Sequence, residues 1–291
     1  MQLGKLGVWW ATDAMSAVDA AAFAKRLEEW GYAALWIPEA IGREPLAHAA
    51  WLLANTDRLI IATGIANIYA RDARAAFTGQ RTLAEQSGNR FLLGLGVSHA
   101  PLVEGMRGHD YKSPLATMRA YLEAMTNAGD YGAVPPGETP PTVIAALGPK
   151  MLALAASHAR GAHPYLVTPE HTRQARDILG AERWLCVEQK VLRETDPEKA
   201  RAIARQGIGF YLALPNYRNN LLRLGFTAEE IDGQADRLVD GLVAWGDDAA
   251  IRARIDAHVA AGADHVCIQP LDPEGTPLPD ENLLTALAPN G

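Results

Sequence analysis

The sequence predicts an α/β fold, a (β/α)8 TIM barrel with an extended helical excursion before strand eight. Three observations carry this. Arg58 to His99 reads as an apolar run (RLIIATGIANIY), a helical segment from Ala73 to Gly88, and a second apolar run (RFLLGLGVSHA). Each apolar run is broken by glycine at its C-terminal end, the pattern of a βαβ unit in a parallel sheet. The same rhythm recurs until eight strand candidates alternate with eight helix candidates, and 291 residues suit one such barrel. The competing doubly wound sheet wants a GxGxxG turn after strand one, and none is present. No low-complexity linker divides the chain, so residues 1–291 are expected to form a single domain.

In chain order, LGKLGVWW is strand one, ending near Trp10. Ser16 caps a helix whose apolar positions Val18, Phe23 and Leu27 recur at near-helical spacing, and Gly31 stops it. Strand two runs from about Ala33 to Ile37, and Pro38 takes the backbone out of the ladder. A helix from Pro45 to Leu53 leads to strand three, which reaches Gly64-Ile65. Strand four runs from Phe91 to about Gly96.

The connection from Val97 to Pro114 exceeds the ordinary length of a barrel loop and reads as a partly ordered lid. A helix from Pro114 to Ala128 and a proline-rich surface loop precede strand five, TVIAAL. A helix from Pro149 carries proline in its first turn. Strand six is short, Gly161 to His163. TPEHTRQARDIL is a helix, and strand seven spans Trp184 to Leu192. Asp196 caps the next helix, and Gly207 to Val243 reads as a helical excursion over the barrel mouth. Asp247 caps a further helix, AGADHVCIQP is strand eight, and a short helix near Glu281 to Ala288 ends the chain.

Composition narrows the function. Hydrophobic residues make up 48% and charged residues 21%, enough for a large core, and the formal net charge of -7 argues against a nucleic-acid or anionic-membrane surface. Two separated cysteines in apolar runs read as core thiols. No signal-like segment opens the chain and no apolar run approaches a membrane span, so a soluble cytoplasmic protein is expected.

In a barrel the site lies at the C-terminal strand ends. Those ends offer Trp9, Trp10 and Thr12; Glu39; Gly64, Ile65, Asn67 and Tyr69; Ser98 and His99; Gly148 and Lys150; His163 and Tyr165; Lys190; and Gln269. The set lacks the opposed carboxylates of a glycosidase, the HxH or HExxH spacing of a metal site, and a GxSxG elbow. What remains is a broad, mostly neutral mouth lined by aromatics, suited to a planar ring cofactor. Glycines after three successive strands would let backbone approach such a ring.

At these residues the chain resembles the bacterial-luciferase-like flavin and deazaflavin oxidoreductases, especially the branch dependent on coenzyme F-420 (F420). The likeness covers nearly the whole chain and is most specific in WIPEAIGREP, LIIATGIANIYARD, TLAEQSGNRFLLGLGVSHAP and AGADHVCIQP. It implies a homodimeric barrel that binds F420 and passes hydride to or from a small organic substrate, or alternatively an FMN-dependent luciferase-like monooxygenase. A non-catalytic flavin-binding barrel is the remaining alternative. The resemblance further implies a non-proline cis peptide at Gly64-Ile65 with Ile65 behind the ring, and cofactor contacts from Trp10, Gly64, Asn67, Ser98, Gly148, Lys150 and His163. Where sugar-phosphate-oxidising relatives carry an acid-histidine pair, this chain has Glu39-Ala40. His99 and Glu39 are therefore the candidate proton carriers, and sugar-phosphate oxidation is not expected.

Overall fold

A computed structural model describes residues 1–289. All its strand pairings are parallel: β1 (Leu6–Trp9), β2 (Ala34–Ile37), β3 (Ile60–Thr63), β4 (Ala66–Asn67), β5 (Phe91–Gly96), β6 (Thr142–Ile144), β7 (Gly161–Ala162), β8 (Trp184–Arg193), β9 (Val243–Gly246) and β10 (His265–Pro270). The order β10-β1-β2-β3-β5-β6-β7-β8 closes on itself because β8 also pairs with β10. The eight predicted barrel strands are therefore found. The two extra pieces are short. β4 continues β3 beyond the Gly64-Ile65 bond and pairs with β5. β9 fills an edge: on β8, β7 reaches Trp184 and Leu185, and β9 takes the upper stretch of that strand from Lys190 to Arg193.

The helices that follow the early strands are α1 (Ala17–Glu29), α2 (Pro45–Ala54), α3 (Ala73–Gln86), α4 (Pro114–Thr126), α5 (Pro149–His158) and α6 (Pro169–Leu179). Ser16, Asp72 and Thr168 cap three of them through side-chain oxygens, sparing first-turn N–H groups. The Val97–Pro114 lid contains a π-helical turn, Pro101–Met106. The helical excursion comprises the end of α7 (Pro197–Leu212), then α8 (Pro215–Arg223), α9 (Ala228–Asp232) and α10 (Asp236–Leu242), which share their own apolar core with Leu192 and Val243. Helices α11 (Asp248–Ala260) and α12 (Glu281–Ala286) flank β10. No helix among the described residues is long and apolar enough to cross a membrane.

Strand alternation sorts side chains into two cores. Trp9, Trp36, Ala62, Leu92, Val143, Cys186 and Cys267 pack together inside the barrel, while Val8, Leu35, Ile61, Leu93, Val187 and Ile268 meet the helices. Both cysteines are free and buried, as core thiols should be.

Buried histidines sit in fixed hydrogen bonds. His258 Nε2 lies 2.8 Å from Gln189 Oε1 and its Nδ1 2.8 Å from Thr172 Oγ1. His265 Nε2 accepts from Trp36 Nε1 at 3.0 Å. Burial pushes the pKa of His48, His163 and His265 from 6.5 down to about 4, and that of His258 to about 3. The unfolded chain takes up these protons near pH 6.5 and the folded chain resists until about 4, so the stability they carry is complete above 6.5 and is lost as pH falls through 4. Each histidine adds a slope of about 1.4 kcal/mol per pH unit in that window. Melting temperatures measured from pH 7.5 down to about 4.5 should fall steeply below about 6.5; a flat profile there would refute the assignment.

Candidate active site

A cavity of about 490 Å³ opens at the C-terminal end of the barrel. A larger but more open depression, about 650 Å³, lies at the other end beside Thr142, Arg160 and Trp184. The first is the candidate site: its walls come from the strand ends and their following loops, where barrel chemistry is built.

One wall is the backbone after β3. The Gly64-Ile65 peptide is cis. Trp9 Nε1 donates to Gly64 O at 2.8 Å, and Glu39 N donates to Ile65 O at 3.1 Å. Ile65 faces β5, whose glycines make room for it. A Cβ on Gly96 would stand 2.4 Å from Ile65 Cδ1 and Cγ1, and one on Gly94 would stand 2.0 Å from Thr63 O. Glycine is thus needed here for close approach, and the result is an apolar shelf with Ile65 on top.

His163 lies on the floor, its ring stacked 4.4 Å from Trp36. Its Nδ1 is 2.8 Å from Cys186 O. A carbonyl only accepts, so Nδ1 carries the proton and Nε2 presents a lone pair. That Nε2 is buried without a protein partner. It adjoins Gly64 on the cavity wall, an acceptor waiting for a ligand donor. Opposite, Gly148 begins α5 without a side-chain cap, and the guanidinium of Arg223 lies 3.4 Å from the place a Gly148 Cβ would occupy. A helix N-terminus beside a cation favours an anionic group.

The remaining enclosure is aromatic. Tyr165, Tyr211 and Tyr217 line it, with Tyr211 and Tyr217 centroids 5.3 Å apart. His99 faces Tyr217 with ring centroids 5.8 Å apart, and burial lowers its pKa while a hydrogen bond with Asn216 opposes the shift. Ser98, also on the wall, adopts φ of 56°, and its carbonyl accepts from Tyr111 Oη at 3.1 Å.

Of the residues singled out from sequence, Glu39, Gly64, Ile65, Ser98, His99, Gly148 and His163 line this cavity. Trp10 does not. Alternation turns Trp9 inward and leaves Trp10 in the outer core. Asn67 is 2% exposed and is spent locally, its Oδ1 accepting from Tyr69 N at 2.9 Å. Lys150 is exposed in the first turn of α5, outside the cavity.

Glu39 is on the wall but is not a free proton carrier. Its carboxylate takes Arg71 Nη1 at 2.8 Å and Nη2 at 2.9 Å, Asn67 N at 2.7 Å and Arg107 Nη2 at 3.3 Å. A bidentate, 7% exposed carboxylate of this kind is an anchor. It ties the β4 segment to the lid through Arg107. Arg107→Ala should therefore speed proteolysis within Val97–Pro114 and leave the melting temperature nearly unchanged, because Glu39 keeps its bidentate pairing with Arg71; unaltered cleavage kinetics would refute the latch.

Sequence reasoning did not select Trp9, Arg223, Tyr211 or Tyr217. Trp9 was visible at a strand end, and the two tyrosines stand in the YLALPNY stretch of the excursion. Nothing local marks Arg223. Among the described residues no group of three or more His, Cys, Asp or Glu is placed to hold a metal ion.

Comparison with known proteins agrees with this geometry. A model of the luciferase-like monooxygenase family matches residues 3–265. A Mycobacterium tuberculosis protein assigned by name to the coenzyme F420-dependent oxidoreductases is 28% identical, across 90% of this chain and 93% of that one. The F420-dependent tetrahydromethanopterin reductase of Methanopyrus kandleri superposes with a TM-score of 0.77 at 17% identity, covering 99% of this chain and 97% of the other. An F420-dependent secondary alcohol dehydrogenase, solved with an F420-acetone adduct, superposes with a TM-score of 0.75 at 15% identity over 99% and 97%. At those identities the superpositions speak for the fold alone. With nine-tenths of its length matched by the family model, the chain belongs to the luciferase-like monooxygenase family.

Proposed function

We propose that the cavity holds the deazaflavin ring of F420 and that the protein passes hydride between that cofactor and a small organic substrate. The observation that carries this reading is the shelf: two glycines of β5 clear space for Ile65, which backs a slot floored by the unpartnered Nε2 of His163. The F420-dependent relative supports it, and the superposed F420-dependent enzymes share its fold. When bound, a deazaflavin supplies or accepts hydride as a two-electron carrier.

The chain's own residues do the rest. Ile65 supports one face of the ring. His163 accepts a hydrogen bond from a ring N–H. The Gly148 helix start and Arg223 hold the anionic phosphate arm. Ser98 shapes the turn that presents His99, and His99, neutral near pH 7, exchanges the reaction's proton with solvent. The lid and Tyr211 exclude water. A homodimer belongs to this reading, and light scattering tests it.

Paired titrations with F420 and FMN test the cofactor. F420 should bind and FMN should not. FMN binding alone would replace this reading with an FMN-dependent monooxygenase, the activity for which the family is named. His99→Ala should keep F420 affinity within about twofold and slow turnover by about a hundredfold or more. Unchanged turnover would remove His99 from the reaction.

A further inference from the structure

Behind the cavity floor lies a buried polar chain that the cofactor reading does not use. Glu188 and Lys190 point into the barrel from β8, and both side chains are 0% exposed. Lys190 Nζ reaches Tyr165 Oη at 2.6 Å, Gln269 Oε1 at 2.8 Å and Glu188 Oε1 at 3.2 Å. Three acceptors meet the three N–H bonds of an ammonium. The second oxygen of Glu188 accepts from Leu166 N at 2.9 Å. Tyr165 alone carries this chain to the ligand side: it lines the cavity, and its hydroxyl lies 3.0 Å from that of Tyr211.

A buried ion pair is a costly way to fill a core, and apolar residues of similar volume commonly do as well. Its placement behind a tyrosine that lines the cavity gives it a use. We propose that Tyr165, backed by the Lys190 ammonium, is the donor to the substrate's oxygen, and that the substrate class is a carbonyl compound or the corresponding alcohol. This rests on the F420 reading for the source of hydride.

The phenol has one proton and two neutral acceptors within reach, Gln269 Oε1 at 2.9 Å and Tyr211 Oη at 3.0 Å. An oxygen gaining negative charge accepts more strongly than either. In the reducing direction, hydride adds to the carbonyl carbon and the C=O π pair moves onto oxygen. That oxygen takes the Tyr165 proton as the O–H bond of the phenol breaks. The phenoxide recovers a proton from Lys190 Nζ, and the pair is recharged through the Tyr165 hydroxyl, which meets that of Tyr211 on the cavity side. Oxidation of an alcohol runs the same transfers backwards. Burial favours the second of these transfers, from Lys190 to the phenoxide, because it holds a proton on Tyr165 and loosens that of Lys190, although the Glu188 carboxylate opposes the effect on Lys190. An alkene with no oxygen at its reacting end gains nothing from this pair.

The test uses ortho-fluoro-para-nitrophenol, whose ionisation near neutral pH is read by fluorine NMR without optical overlap with the cofactor. Its phenolate stands in for the developing alkoxide. Bound to the F420-loaded protein, its ionisation midpoint should fall by about one pH unit, a preference of about tenfold for the anion. Tyr165→Phe should abolish the preference and leave F420 affinity unchanged. The charge-free double variant Glu188→Leu/Lys190→Met should abolish it too and keeps the test open if Tyr165→Phe does not fold.

Binding without preference, preference retained in both variants, or no binding at millimolar probe would each overturn the proposal. Should F420 itself fail to bind, the cofactor reading falls. The same probe titrated into the protein alone still judges the phenol-ammonium pair.

Discussion

Glu188→Ala is expected to lower the unfolding free energy by about 3–5 kcal/mol, because it leaves the Lys190 ammonium buried without its counter-charge. In a chain of this size that corresponds to a fall of about 5–8 °C in melting temperature. The geometry explains why solvent cannot soften the loss. Lys190 and Glu188 are both 0% exposed, and the same carboxylate also holds Leu166 N, a residue with φ of 56° on the cavity wall loop. Truncation therefore orphans two donors, not one. Glu188→Leu/Lys190→Met removes both charges and fills the space with apolar atoms. It should lie within about 2 kcal/mol of the native protein. Thermal unfolding of the two variants checks this. Equal losses in both would mean that packing volume, not the uncompensated charge, sets the stability of the barrel interior.

The barrel was legible because its elements repeat. Glycines close the apolar runs at Gly64 and Gly96, and proline opens helices at Pro45, Pro114, Pro149, Pro169 and Pro197. Each of these signals is local. What escaped depends on distance or parity. Choosing between Trp9 and Trp10 requires knowing which face of β1 looks inward. That is decided by its register with β2, where Val8 meets Leu35 and Trp9 meets Trp36. Strand β9 is four residues long and exists because β7 leaves the edge of β8 open, a fact of the assembled sheet.

The fate of Glu39 was hidden for the same reason. The arginines that occupy its carboxylate come from the β4 turn and from the lid, 32 and 68 positions away. Lys150 and Gly148 are two residues apart, yet the first turn of α5 sends one to solvent and leaves the other on the cavity wall. Conversely, Tyr165, Lys190 and Gln269 each stood at a predicted strand end with no apparent connection. Only closure of the barrel brings their polar atoms within 2.6–2.9 Å of one another.

Gly96→Ala should cut cofactor affinity by about 30-fold while the protein stays folded, and Gly94→Ala should fail to fold. The two positions are two residues apart on β5 and differ in what a methyl group would strike. At Gly94 the obstacle is a backbone carbonyl, Thr63 O, at 2.0 Å, and that residue is pinned by Thr63 Oγ1 donating to Gly94 O and accepting from Gly94 N. Nothing can yield without breaking the pairing of β3 with β5. At Gly96 the obstacle is the end of a side chain, Ile65 Cδ1 and Cγ1 at 2.4 Å.

The Ile65 backbone is held by Glu39 N and the preceding carbonyl by Trp9, so the side chain alone gives way. With β5 behind it, its free direction is into the cavity, where the ring is to lie. Overpacking of this kind costs about 1–3 kcal/mol, and a cost of about 2 kcal/mol paid on binding is about 30-fold in Kd. Shortening the displaced side chain should relieve it: Gly96→Ala/Ile65→Val should recover about a third or more of the lost binding free energy. Cofactor titration, by fluorescence quenching, of the single and double variants measures this. If Gly96→Ala binds as tightly as the native chain, Ile65 does not back the ring, and the shelf after β3 is a feature of the barrel rather than of the site.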